Sequence, residues 1–299
     1  MQFGIHAPAS RTLVHLSDTH LLAGGANLYD TFAVEANLRR ALERVEQTGV
    51  SPDALVFTGD LTDLGEPEAY TMLRRIVEPV AERMGAPIAW VAGNHDERPE
   101  MRRDLLDEEP SQKPIYHAWD LGGLRLIALD STVPGWHHGE VDDEQLAWLR
   151  DQLSSPAPLG TIIALHHPPL PTHVPLFDIL ELRGQDRLAD AIRGTDVRTI
   201  LAGHLHYSMH GTFAGVPVSV AAATCYTMDV ARTPLRINGM DAGQAFALVH
   251  VYDDTITHTI VPVDGADPGD VFGPEFYARL EAMTPEERLE AFSRKKSSS

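Results

Sequence analysis

The stretch Thr12-Leu13-Val14-His15-Leu16-Ser17-Asp18-Thr19-His20-Leu21 decides how this chain is read. Residues 12–16 are mostly β-branched or aliphatic, which predicts a strand. Directly beyond it stand a carboxylate and an imidazole, Asp18 and His20. The same order recurs downstream, an apolar run and then a polar cluster. Leu55-Val56-Phe57 leads to Gly59-Asp60, and Ala89-Trp90-Val91 to Gly93-Asn94-His95-Asp96. Ile162-Ile163-Ala164-Leu165 leads to His166-His167, and Ile200-Leu201 to Gly203-His204-Leu205-His206.

Between these runs lie helical patterns. Strands are predicted at 12–16, 54–57, 88–91, 124–129, 162–165 and 197–201, and helices at 32–46, 66–84, 142–153 and 186–192. The alternation predicts an α/β fold. The strands are continuous apolar runs, as strands covered on both faces should be. Past residue 206 the pattern turns to hairpin-like strands at 212–222 and 245–263, with a loop at 231–244. Thr284-Pro285-Glu286-Glu287 is a capping box with proline at the first helical position, opening a short helix through Phe292. This divides the chain into a main domain, 1–263, and a C-terminal extension, 264–299.

A chain of 299 residues has ample volume for a core. Twenty-four basic against 43 acidic residues give a net charge of −19. Such a surface repels long nucleic acids, whereas bound cations can reverse the local field for a small phosphate compound. No apolar run is long enough for a transmembrane helix. The N-terminal residues do not read as a signal peptide, and the single cysteine, Cys225, allows no intrachain disulfide. A cytoplasmic location is the expectation.

In open α/β sheets ligands bind outside the carboxyl ends of the strands, so the five clusters are expected to converge on one rim. Taken singly, each has an ordinary reading. Asp-Xaa-His is common, Gly-Asp at a strand end makes a turn, and His204 and His206 could alternate into solvent. Five such clusters in series are poorly explained by turns. Asp18, His20, Asp60, Asn94, His166, His204 and His206 are too many donors for one tetrahedral ion and natural for two ions sharing a carboxylate. Imidazole with carboxylate suits Mn, Fe, Zn or Co, and the lack of thiolates argues against a structural cysteine-rich zinc site.

In these blocks and their order, across residues 18–206, the sequence resembles the calcineurin-like metallophosphoesterases. The stretches Leu16-Ser17-Asp18-Thr19-His20-Leu21, Gly139-Glu140, Ala164-Leu165-His166-His167-Pro168-Pro169 and Ala223-Thr224-Cys225-Tyr226-Thr227 are similar to the class III cyclic-nucleotide phosphodiesterases. That similarity extends to about residue 263. The resemblance implies a sandwich of two mixed β-sheets flanked by α-helices. It implies one metal on Asp18, His20, Asp60 and His206, another on Asp60, Asn94, His166 and His204, with Asp60 bridging, and a homodimer. The substrate it implies is a small cyclic nucleotide, 3′,5′-cyclic AMP first and 2′,3′-cyclic nucleotides next.

Two ions about 3.5–4 Å apart can hold both the attacking and the leaving oxygen of an in-line displacement. The expected nucleophile is a hydroxide shared between them. His95, adjacent to Asn94, is the expected general acid or charge stabiliser. Asp63 or Asp96 is expected to orient a ligand histidine. His167 is expected to be structural, His137-His138 to sit in a Pro/Gly loop without lining the pocket, and Cys225 to be buried and inert. Family phosphatases acting on phosphoproteins carry an arginine soon after Gly-Asp. Here Gly59-Asp60-Leu61-Thr62-Asp63-Leu64 has none, which favours a monoanionic diester. The competing readings are a broad phosphomonoesterase, a nuclease, or a binding scaffold without activity. The intact ligand set argues against the scaffold.

Overall fold

The computed structural model describes residues 3–232, 237–264 and 273–295. Two compact units emerge, Ala9–Asp264 and a smaller one from Met1–Pro8 and Gly265–Ser299. In the large unit a five-stranded sheet contains β1 (Arg11–Leu16), β2 (Ala54–Thr58) and β3 (Ile88–Val91) in parallel, extended antiparallel by β14 (Ala245–Val251) and β15 (Ile256–Pro262). A six-stranded sheet holds β5 (Leu124–Ala128), β7 (Thr161–Ala164), β9 (Val197–Ala202) and β11 (Val216–Val220) in parallel. Its antiparallel edges are β4 (His117–Leu121) and β10 (Met209–Phe213). Two-residue ladders join β6 (Gly139–Glu140) to β8 (Leu182–Arg183) and β12 (Thr227–Met228) to β13 (Gly239–Met240).

Helices α1 (Val34–Gln47) and α2 (Pro67–Met84) make the crossovers of the first sheet. In α1, Val34, Leu38, Ala41, Leu42 and Val45 recur at helical spacing and are buried with Val14, Leu16, Leu55 and Phe57 of the strands. Helix α2 starts at Pro67, whose missing N–H costs nothing at that position, and stops at Gly85 in the left-handed conformation. A short α3 (Arg98–Asp104) follows β3. Helices α4 (Asp143–Gln152) and α5 (Gln185–Ile192) cover the second sheet, packing Leu146, Leu149, Leu188 and Ile192 against Ile127, Ile163 and Ile200. Between the sheets lies a third core of Leu13, Val56, Val91, Leu126, Ile162, Leu201 and Val249. Leu13 and Val14 therefore face opposite layers, as the two-residue strand period requires. The result is the expected sandwich of two mixed sheets flanked by helices.

Every predicted element is present within two residues at each helix or parallel-strand end. Among the described residues, β4, α3, the short-ladder strands β6, β8, β12 and β13, and α6 (Pro274–Ala282) lie outside the prediction. The expected 231–244 loop includes β13, and its residues 233–236 lie outside the described residues. The capping box forms in full: the Glu287 N–H donates to Thr284 Oγ1 at 3.2 Å, and the Thr284 N–H to Glu287 Oε2 at 2.8 Å. It opens α7 (Pro285–Arg288), which runs on as a wider turn to Ser293. In the small unit the Arg288 guanidinium lies 4.5 Å from the centre of the Phe3 ring.

Candidate metal centre

Each expected donor follows a parallel strand. Asp18 and His20 follow β1, Asp60 follows β2, Asn94 follows β3, His166 follows β7, and His204 and His206 follow β9. The chain must turn sharply there, and five of the seven do so with positive φ: Asp18 53°, His20 45°, Asp60 48°, His204 74° and His206 56°. A left-handed residue with a side chain costs roughly 1–2 kcal/mol. Such residues persist where their surroundings fix them, and they gather at functional sites. Two glycines show how tight the surroundings are. A Cβ on Gly203 would lie 1.9 Å from Ser17 Oγ and 2.7 Å from Asp18 Oδ2. One on Gly93 would lie 2.0 Å from the Asp60 nitrogen and 2.3 Å from Asp60 Oδ1.

The ring nitrogens are oriented by what their Nδ1 atoms meet. His166 Nδ1 lies 2.7 Å from the Thr58 carbonyl, His206 Nδ1 3.2 Å from the Tyr226 carbonyl, and His20 Nδ1 2.9 Å from Asp63 Oδ1. Oxygens of these kinds only accept, so each Nδ1 donates and each neutral ring turns a bare Nε2 lone pair inward. Those lone pairs meet other acceptors. His166 Nε2 is 3.1 Å from Asn94 Oδ1 and 3.2 Å from Asp60 Oδ2. His206 Nε2 is 3.2 Å from His20 Nε2 and 3.5 Å from Asp18 Oδ1. His20 Nε2 in turn is 3.4 Å from Asp60 Oδ2. His204 Nε2 is buried without a hydrogen-bond partner. Converging lone pairs repel unless a cation or protons lie between them. The donor set therefore fits metal ions, and Asp18, His20, Asp60 and His206 each offer one atom within 4.8 Å of the others. Asp60 Oδ2 faces both groups, and its Oδ1 accepts the His95 N–H at 2.9 Å.

Electrostatics follow from the same crowding. Burial pulls His20 and His166 down, but Asp60, Asp18 and, for His20, Asp63 outweigh it and raise them to about 10 and about 9. Burial pushes Asp60 up, yet His166, His95 and His20 hold it well below the ordinary carboxylate range. Burial raises Asp18 to about 6 despite His166, with the charge of Asp60 adding to the rise. Burial, then nearby histidines, hold His204 and His206 well below their usual range.

All seven expected donors thus come together. His95 stands beside them, its ring centre 4.8 Å from that of His20 and its Nδ1 2.9 Å from the Asp63 carbonyl. Asp63 orients His20, as expected of one of the two aspartates. Asp96 orients no histidine and needs a correction: it accepts the N–H groups of Leu61, Thr62 and Gly93 and the Tyr70 hydroxyl. It ties the β2 and β3 loops together, and burial, aided by Asp60, raises it to about 6. His167 is structural: Nδ1 meets Ser131 Oγ at 2.8 Å and Nε2 the His137 carbonyl at 3.1 Å. With both nitrogens engaged, it offers no metal ligand. Cys225 is buried, and burial holds its thiol well above its usual range.

A cavity of about 470 Å³ opens over the centre. His20, Asp60, Asn94, His95, His204 and His206 line its floor. Against expectation, His137 also lines it, with Nδ1 3.0 Å from Asn94 Nδ2. An amide NH2 only donates, so the hydrogen of His137 sits on Nε2. Sequence reasoning missed the two apolar walls. Leu176, Phe177 and Leu180 form one, and Tyr29, Phe32, Tyr226 and Met228 another. Tyr29, Leu176, Phe177 and Leu180 stand in segments that read as loops, Phe32 at the start of a predicted helix, and Tyr226 in a stretch noted only for its resemblance.

The calcineurin-like phosphoesterase family matches residues 11–208. A cAMP/cGMP dual specificity phosphodiesterase of Mycobacterium tuberculosis is 51% identical over 262 residues, 88% of this chain and 82% of that one. A probable cyclic nucleotide phosphodiesterase of Rhodococcus erythropolis is 55% identical over 251 residues, 84% and 83% of the two chains. A dimetal phosphatase of Danio rerio has the same fold, with a TM-score of 0.60 at 15% identity, covering 86% of this chain and 98% of its own. The family match over residues 11–208 and the two phosphodiesterase relatives show that the chain is a member of the calcineurin-like phosphoesterases.

Proposed function

We propose that this enzyme is a dinuclear-metal phosphodiesterase that hydrolyses cyclic nucleotides, 3′,5′-cyclic AMP foremost and 2′,3′-cyclic nucleotides next. One ion would be held by Asp18, His20, Asp60 and His206, the other by Asp60, Asn94, His166 and His204. Iron, manganese and zinc suit these donors. When bound, two such ions supply a nucleophilic hydroxide and draw charge from the phosphoryl oxygens. The chain's own residues do the rest. Asp63 holds His20 in the tautomer that turns Nε2 inward, and the Thr58 carbonyl does the same for His166. His95, fixed through Nδ1 to the Asp63 carbonyl, protonates the leaving alkoxide.

The observation that carries the diester reading is the lining of the cavity. Among the described residues no arginine or lysine lines it. A monoester dianion would call for such a cation, whereas a diester carries one negative charge. The names of the two similar phosphodiesterases support the cyclic-nucleotide class. We place the catalytic unit at 1–263 with 264–299 as an extension, in the cytoplasm and as a homodimer. No helix among the described residues is long and apolar enough to cross a membrane.

The test is a rate panel on protein loaded with Mn, Fe or Zn, comparing 3′,5′- and 2′,3′-cyclic AMP, a model diester and a model monoester. Asn94→Ala serves as the control. Diester turnover that vanishes in the control is expected. Dominant monoester turnover would overturn the diester assignment.

A further inference from the structure

We propose that Tyr29 is the platform on which the base of the substrate stacks, and so a specificity-determining residue of this site. This rests on the cyclic-nucleotide reading above and names the part of the protein that would recognise the base.

Tyr29 lines the cavity, yet 64% of its surface is exposed. Other large aromatic residues that are exposed among those described, Trp136 and Tyr277 for example, do not line it. The backbone beneath Tyr29 is set to present the ring. Tyr29 and Asp30 both have positive φ, 51° and 53°, which two successive residues with side chains rarely share. Around them the loop closes on itself. The Leu28 N–H donates to the Phe32 carbonyl and the Phe32 N–H to the Leu28 carbonyl, each at 2.9 Å. Thr31 Oγ1 donates to the Tyr29 carbonyl at 2.9 Å, and Leu28 is buried as the anchor. The constrained turn holds Tyr29 at the cavity with most of its surface exposed.

The ring is also buttressed. Phe32 and Tyr226 stack on each other, centres 4.7 Å apart and 17° from parallel, and both are buried. Tyr29 meets both in T-shaped contacts, at 6.5 Å with 79° and at 6.1 Å with 64°. Held in that way, it keeps surface free for a flat guest. Tyr226 in turn contacts His206, ring centres 4.5 Å apart, so the platform adjoins the metal donors directly. The opposite wall offers no comparable face. Phe177 is buried and engaged by His204 and Tyr207. A base bound against Tyr29 with its phosphate over Asp60 spans the cavity from rim to floor. Aromatic stacking tolerates every base, so the platform admits adenine and guanine alike and selects for a nucleoside over a small alkyl group.

The experiment is calorimetric titration of metal-loaded protein with AMP and, separately, with inorganic phosphate. Neither needs turnover. Three variants are compared with the wild type: Tyr29→Asn, which removes the ring and suits the left-handed turn, Tyr29→Phe, and Leu176→Ala on the other wall. Melting temperature and metal content establish that each is folded and loaded. Wild type should bind AMP about tenfold or more tightly than phosphate. Tyr29→Asn should lose that preference, and Tyr29→Phe and Leu176→Ala should keep it. The platform is overturned by a wild type without the preference, by a Tyr29→Asn that retains it, or by Leu176→Ala removing it instead. A Tyr29→Phe as weak as Tyr29→Asn overturns it too, because the hydroxyl and not the ring would then matter. Cyclic-AMP hydrolysis is measured in parallel. An intact AMP preference without hydrolysis sinks the substrate reading alone.

Discussion

His20 and His206 point their Nε2 atoms at one another across 3.2 Å, each ring pinned from behind by a hydrogen bond at Nδ1. With His206 held neutral, the one proton that the raised His20 can place between them is shared by both, whereas a metal cation would take both lone pairs. Metal binding should therefore stabilise the fold. At a free ion concentration one hundred times Kd the gain is about 2.7 kcal/mol. Thermal melts with and without a chelator check this, and equal melting temperatures would contradict it.

Asp18 sharpens the point. It is fully buried beside Asp60, in a left-handed conformation that asparagine tolerates. Asp18→Asn keeps the shape and removes one of two crowded charges. The variant should lose metal and activity, while its chelated form should be more stable than the chelated wild type by about 0.5–2 kcal/mol. Denaturant titration under chelator reads the difference; a less stable variant would refute it.

His95→Ala should lower kcat by about 10²–10⁴-fold with metal content unchanged. Its Nδ1 is spoken for by the Asp63 carbonyl and its ring lines the cavity, so the loss should fall on turnover rather than on folding. Metal analysis alongside steady-state kinetics separates the two. An unchanged rate would remove His95 from the chemistry.

Gly93→Ala should be damaging out of proportion to one methyl group. Its Cβ would collide with the backbone and carboxylate of Asp60. Overpacking of this kind costs about 1–3 kcal/mol. Displacing Asp60 should also lower occupancy at both ion positions together, which elemental analysis would detect. Loss of a single ion would argue that Asp60 is not shared.

His15 carries a pH prediction. It is buried between the sheets, bonded through Nε2 to Thr58 Oγ1 at 2.9 Å, with Nδ1 unpartnered. Burial, with His258 nearby, lowers it to about 3 from 6.5. Between those values the unfolded chain binds a proton that the folded chain refuses, so this contribution to stability is present above about pH 6.5 and lost as pH falls towards 3. His15→Gln should flatten the pH dependence of stability in that window by up to about 1.4 kcal/mol per unit. Denaturant titrations at pH 4, 5 and 6 test it; parallel slopes for the two proteins would rule it out.

The parallel strands and the donor set were legible because one physical rule governs both. A strand covered on each face must be apolar throughout, and β2 is buried at every position. A polar cluster just past such a run therefore stands out. β4 was missed because it is an edge strand with exposed His117 and Asp120, which blur the apolar signal. A better clue lay in the turn: Leu121 pairs with Leu124 around Gly122-Gly123, both at positive φ, as a two-residue hairpin demands. Asp96 was misassigned because adjacency to His95 suggested a partner, whereas its actual partners come from the β2 loop and Tyr70 in α2. The Tyr29 turn left little sign in the sequence: Asp30 is a residue type that tolerates a left-handed backbone, but Tyr29 is not.

The donors come from both sheets, and contacts such as His20 with His206 and Asp18 with the His204 N–H link residues 186 positions apart. A growing chain that has emerged only through β3 carries three of the seven donors and no complete site. Ion capture must then wait until β9 has been made and docked. Loading is a late event acting on an already assembled protein, so metal starvation during synthesis should yield folded, empty enzyme that can be charged afterwards rather than a misfolded one.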